Sequence, residues 1–116
     1  TVACITGDGG FAMVMADFAT AVKYDLPIIV VVLNNHELAM IREEQREAGY
    51  PPYGVDLTNP DFAAFARASG GAGIRVTQPQ DLPRAVEEAL KMNKPVVVDV
   101  ETDPERFPVK KGAGPA

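Results

Sequence analysis

Ile5-Thr6-Gly7-Asp8-Gly9-Gly10-Phe11 is the stretch on which the reading of this chain turns. A short run of small and β-branched apolar residues, Val2 to Thr6, stops at the glycines, and from Phe11 apolar residues recur at helical offsets. The pattern is a strand, a glycine-rich turn and a helix N-terminus, where free backbone N–H groups receive anions. The loop itself carries a carboxylate, and no Lys or Arg occurs before Lys23. A phosphate beside Asp8 would be repelled unless a cation lay between them. The second strand end, Leu33-Asn34-Asn35-His36-Glu37, supplies the missing ligands: the Asn35 amide oxygen and the backbone carbonyls just beyond it. A carboxylate, an amide oxygen and a diphosphate together describe a Mg²⁺ site with few protein ligands.

Outward from these two turns the chain reads as alternating strands and helices. Val2 to Thr6 and the Val/Ile-rich run Ile28 to Leu33 are expected as buried parallel strands. Between them Phe11, Val14, Met15, Phe18, Ala19 and Val22 fall on one face of an amphipathic helix, with Lys23 in its last turn and Pro27 closing the connection. Leu38 to Ala48 reads as a very polar, solvated helix, and Gly49-Tyr50-Pro51-Pro52-Tyr53-Gly54 as a loop able to cover a site or meet another subunit. Asn59-Pro60-Asp61-Phe62 starts a helix with Asn59 as N-cap and Pro60 at the first position; Phe62, Phe65, Ala66 and Ser69 form its inner face. A strand at Ile74 to Val76 follows, then a helix from about Gln80 to Met92, with a capping box from Thr77 to Gln80 and Leu82, Ala85, Val86, Ala89 and Leu90 buried. Val96 to Val100 is the last strand, and a draped or disordered tail begins after Thr102. The fold class is α/β, a mainly parallel sheet flanked by helices on both faces. Ligands of such sheets gather beyond the carboxyl ends of the strands, where Asp8 and Asn35 stand.

With 116 residues the chain is one domain. A formal charge of −5 argues against nucleic acid or an anionic membrane surface as partner. The longest apolar run, Leu26 to Leu33, contains a proline and is far short of a membrane span, and no signal-peptide pattern is present. A single cysteine, Cys4, excludes an internal disulfide and points to the cytoplasm. Inside a strand it reads as a small buried hydrophobe. The chain starts without Met and directly on a strand, so it is expected to be part of something longer.

Two other classes of function compete. Gly7-Asp8-Gly9-Gly10-Phe11-Ala12 also fits the dinucleotide fingerprint of an oxidoreductase, but that needs an acid after the next strand, where this chain has Asn34-Asn35. A Mg²⁺-binding signalling module would cluster several acids at a strand end, and only Asp8 is there. His36, the one histidine, is read as a packed or solvated ring and given no catalytic part.

Gly7-Asp8-Gly9, twenty-four intervening residues and Asn34-Asn35 resemble the signature of thiamine-diphosphate-dependent enzymes. The resemblance runs from Thr1 to about Pro108, a domain 1–108 followed by a tail 109–116, and is nearest to the C-terminal domain of pyruvate oxidases and acetolactate synthases. It implies that Asp8, Asn35 and the backbone oxygen of Glu37 ligate Mg²⁺. It implies further that Gly7, Asp8, Gly9, Gly10, Asn35, Glu37, Leu38, Ala39 and Met40 hold the diphosphate of thiamine diphosphate. Ala39 replaces a common Gly, and its methyl group would crowd the diphosphate slightly. Met40, Ile41 and Glu44 would line the substrate side; a Glu at the position of Glu44 is typical of pyruvate oxidases, and a Trp of acetolactate synthases. The implied activity is decarboxylation of a 2-keto acid, with pyruvate as the leading substrate. Oxidation with FAD bound outside this chain would follow, or, alternatively, carboligation of the acetolactate synthase type. The rest of the active site would come from other domains and a second subunit, so this chain alone is expected to be inactive.

Overall fold

The computed structural model describes residues 1–106; the tail expected at 109–116 and the domain limit at 108 lie outside these residues. Four strands, β1 (Val2–Gly7), β2 (Ile28–Asn34), β3 (Ala72–Val76) and β4 (Val96–Glu101), form one parallel sheet in the order β1-β2-β4-β3. The two central strands are the ones with near-unbroken Val and Ile, as a strand covered on both faces requires.

Crossovers between parallel strands share one hand, so the direction of travel across the sheet decides which face each helix covers. The steps from β1 to β2 and from β2 to β3 run the same way. Their helices α1 (Asp8–Val14), α2 (Phe18–Lys23) and α4 (Phe62–Ala68) cover one face, and α3 (Ala39–Glu47) follows β2. The step from β3 back to β4 reverses, and α5 (Leu82–Lys91) covers the other face. Alternation along β4 matches this division: Val96, Val98 and Val100 pack with Ala85 and Ala89 of α5, while Val97 joins Phe11, Phe18, Val30, Val32 and Phe62.

One glycine sets the spacing of helix and sheet. A Cβ at Gly73 would come within 2.0 Å of the Ala63 carbonyl oxygen in α4, a backbone atom that cannot rotate away. Gly73→Ala is therefore expected to cost about 3 kcal/mol or more. Urea denaturation should show this as a lower midpoint with an unchanged slope.

Several local expectations are corrected. β1 is parallel as expected but forms the edge of the sheet rather than a buried strand: Val2 is 67% and Ile5 72% exposed, and Cys4 is exposed too. Among the described residues β1 pairs only with β2, and α5 packs over β3 and β4, which leaves its face of β1 uncovered. The single helix expected from Phe11 to Val22 is divided by a 3₁₀ turn at Met15–Asp17. At three residues per turn the 3₁₀ segment shifts the helical phase; Phe11, Phe18 and Ala21 are buried, and Val14 and Ala19 are exposed. α5 meets the sheet through Ala85 and Ala89, leaving Leu90 exposed. No side chain caps it; a 3₁₀ turn at Pro79–Asp81 leads into it instead of a Thr77–Gln80 box. The N-cap of α4 is Asp61, whose carboxylate accepts the Ala64 N–H at 2.8 Å, so Asn59 is left for another task. The third strand starts earlier than expected, at Ala72.

Candidate functional site

Asp8 and Asn35 follow neighbouring strands whose last turns are in register, Gly7 opposite Leu33. A cleft of about 570 Å³ opens there. Gly7, Asp8, Gly9 and Gly10 line one side, and Asn35, Glu37 and Leu38 through Ile41 another. The structure thus brings together all the expected cofactor-side residues. At Gly7 an added Cβ would meet nothing within 4 Å. The missing side chain there relieves no internal packing; it keeps the cleft clear for close approach to backbone.

Asp8 is only 2% exposed. Its Oδ2 accepts the His36 N–H at 2.8 Å and the Asn59 side-chain amide at 2.7 Å. Among the described residues no hydrogen bond reaches Oδ1, yet no buried side-chain oxygen lacks a partner, so Oδ1 keeps access to solvent. Asn35 Oδ1 accepts the Glu37 N–H at 3.1 Å, and His36 adopts a left-handed φ of 59°. Together they bend the chain sharply after β2. A short clasp fixes the bend: Leu38 N–H donates to Val55 O and Leu57 N–H to His36 O, each at 2.8 Å, around the Glu37–Asp56 bridge. His36 therefore serves as a turn residue with an exposed ring.

The two adjacent asparagines differ in role because successive residues of a strand face opposite sides. Asn35 borders the cleft, whereas Asn34 is 1% exposed and donates to Asp99 Oδ1 at 3.0 Å. Neither α1 nor α3 has a side-chain cap, so the unpaired first-turn N–H groups of both helices stand at this cleft. Such groups attract an anion; Asp8 beside them attracts a cation.

Among the described residues no group of three or more His, Cys, Asp or Glu side chains could cage a metal. One carboxylate, one amide oxygen and a backbone carbonyl suit a hard ion such as Mg²⁺ whose remaining ligands are phosphate oxygens and water. The donor set fits the ion implied by the sequence in that form.

The structure adds residues that the sequence reading missed. Arg42 lies on the helix expected to be solvated, yet it is 3% exposed. It pairs with Glu37, with Glu43 at 3.3 Å and with Glu105 at 3.1 Å, and donates to Pro104 O at 2.6 Å. These bonds strap Thr102 to Arg106 along the cleft, so this part of the expected tail is draped. Asn59 is the other: Asn59 and Asp61 can both cap a helix, only one is needed, and that surplus was the available signal. Met40 and Ile41 border the cleft and are about half exposed; Glu44 shares their helix face but does not line the cleft. The aromatic loop from Gly49 to Gly54 also stays outside it, tied by Gln45 to the backbone of Tyr53.

The sequence model of the family described as thiamine pyrophosphate enzyme, C-terminal TPP binding domain, matches residues 1–100. A Bacillus subtilis protein described as thiamine pyrophosphate-containing is 54% identical over 96 residues, 83% of this chain and 17% of that protein. The acetolactate synthase large subunit of Haemophilus influenzae is 36% identical over 106 residues, 89% of this chain and 18% of the synthase. The pyruvate oxidase of Lactiplantibacillus plantarum is 35% identical over 98 residues, 82% of this chain and 16% of the oxidase. A solved structure, the thiamine diphosphate-dependent 4-hydroxybenzoylformate decarboxylase of Rhodococcus jostii, superposes with a TM-score of 0.80 at 27% identity, over 89% of this chain and 20% of that one. The chain thus spans less than a fifth of the length of these curated relatives. Among the described residues no helix is long and apolar enough to cross a membrane.

Proposed function

Because this chain belongs to the thiamine pyrophosphate enzyme family, as its C-terminal TPP-binding domain, we propose that it holds the diphosphate of thiamine diphosphate through Mg²⁺ in an enzyme that decarboxylates a 2-keto acid. The observation that carries this reading is the buried carboxylate of Asp8, with one oxygen left over, in one cleft with two uncapped helix N-termini. Asp8 Oδ1, Asn35 Oδ1 and the Glu37 carbonyl would ligate the ion. Backbone N–H groups at Gly9, Gly10, Ala39 and Met40 would face the diphosphate. When bound, thiamine diphosphate supplies the electron sink into which a 2-keto acid loses CO₂. Met40 and Ile41 then offer an apolar wall that limits water near the reacting end.

Pyruvate is the proposed substrate. The oxidase reading, with FAD bound outside this chain, is supported by Glu44 as a Glu and by similarity to a pyruvate oxidase. Carboligation is the second reading, favoured by similarity to acetolactate synthases at 36% and 38% identity. In either case other domains and a second subunit would complete the site, in a cytoplasmic homo-oligomer. Titration calorimetry on the complete enzyme should show thiamine diphosphate binding only when Mg²⁺ is present; tight binding in excess chelator would refute the site. Acetate or acetyl phosphate from pyruvate supports oxidation and acetolactate supports carboligation. Glu44→Gln should slow an oxidase without weakening Mg²⁺-cofactor binding, and unchanged kinetics would return Glu44 to the solvent face on which it lies.

A further inference from the structure

We propose that Asn59 is a positioning residue that restricts Asp8 to one metal-binding oxygen and so makes the site prefer Mg²⁺ over Ca²⁺. The inference rests on the Mg²⁺-diphosphate reading above. Its basis is the occupancy of Asp8 Oδ2, which accepts two hydrogen bonds, from Asn59 Nδ2 at 2.7 Å and from His36 N at 2.8 Å. An oxygen with two donors at these distances is poorly disposed to join a cation as well, because the donors occupy its lone-pair directions. Only Oδ1 is then available.

Asn59 is itself held in one orientation. Its Nδ2 also donates to Asn34 Oδ1 at 3.0 Å, Asn34 Nδ2 donates to Asp99 Oδ1 at 3.0 Å, and Asp99 Oδ2 pairs with Arg75 at 3.4 Å. Every donor in this row has an acceptor. Turning the Asn59 amide over would set its oxygen against the oxygens of Asp8 and Asn34 together. Asn34 and Asp99 are each 1% exposed, so the anchoring end of the row is shielded from water. Asn59 thus belongs to a buried strut running from β4 to the carboxylate, not to the cap of α4, which Asp61 supplies.

The consequence follows from ion size. Mg²⁺ requires near-octahedral geometry at about 2.1 Å, which one-oxygen carboxylates satisfy, while Ca²⁺ takes roughly six to eight oxygens at about 2.4 Å and readily accepts both oxygens of a carboxylate. Without the Asn59 donor Oδ2 keeps only the His36 N–H, and the lone pair released lets Asp8 offer its second oxygen to the larger ion.

Apparent dissociation constants for Mg²⁺ and Ca²⁺ in saturating thiamine diphosphate, measured by calorimetry on the complete enzyme and on its Asn59→Ala variant, test this. Outer partners of metal ligands commonly contribute about 10–100-fold in affinity. Asn59→Ala should weaken Mg²⁺ about tenfold and leave Ca²⁺ unchanged or tighter, moving the Ca²⁺/Mg²⁺ ratio about tenfold towards calcium. Asn59→Asp keeps the size but cannot donate, and should move the ratio the same way. Equal weakening of both ions in step with a lower melting temperature would mark Asn59 as structural and overturn the proposal. Failure of both variants to fold would overturn it on the same ground. A wild-type enzyme that binds the cofactor with Mg²⁺ but keeps its ion ratio in both variants overturns this inference alone. A wild type that binds with neither ion overturns the underlying reading.

Discussion

Asp8→Ala in the complete enzyme is expected to weaken Mg²⁺-dependent binding of thiamine diphosphate by about 100-fold or more, beyond what loss of an outer partner usually does. Asp8 is the only side-chain carboxylate proposed at the ion, and without it the protein would offer Mg²⁺ only the neutral oxygens of Asn35 and Glu37. The variant should still fold. The His36 N–H and the Asn59 amide each lose an acceptor, which costs about 1–3 kcal/mol in a part-buried site. The melting temperature should therefore fall by several degrees while the far-ultraviolet circular dichroism is retained. Calorimetry below the transition separates the two effects. Wild-type Mg²⁺ dependence in a folded Asp8→Ala enzyme would remove Asp8 from the site. Asp8→Asn keeps one oxygen and loses the charge, so it should bind with intermediate affinity.

Arg42→Ala is expected to have the largest effect on stability outside the core, about 3 kcal/mol. Arg42 pairs with Glu37, Glu43 and Glu105 and is almost fully enclosed, whereas Arg46, which also reaches Glu43 and Glu105, is about half exposed. Without it Glu37, itself largely covered, keeps its charge with no partner, and the strap from Thr102 to Arg106 loses its main anchor. Limited proteolysis should cut between Thr102 and Arg106 faster in the variant, and the denaturation midpoint should fall. Arg42→Lys keeps the charge but not the planar fork that reaches several acceptors, so it should recover only part of the stability. Because the Glu37 carbonyl is a proposed metal ligand, Arg42→Ala should also weaken Mg²⁺, by less than Asp8→Ala does. Unchanged proteolysis and an unchanged midpoint would show that these ion pairs contribute little.

The sequence by itself determined the parallel α/β architecture and the placement of Asp8 and Asn35 on neighbouring strand ends. Those features are local: a Val/Ile run, a glycine turn and a 3.6-residue period depend on neighbours within a turn or two of the chain. The paired motif added the family, which the residues from Thr1 to Val100 match. Only the tertiary structure decided which polar residues are enclosed. Asn59 meets Asp8 across 51 residues, Arg42 meets Glu105 across 63, and Asn34 meets Asp99 across 65. No local period encodes such meetings, so Asn59 read as a helix cap and Arg42 as one more solvated charge. The same holds for exposure. Cys4 and Ile5 sit in a run that reads as buried, yet strand order puts them at the sheet edge, and strand order is set by which segments pair, not by what any segment contains.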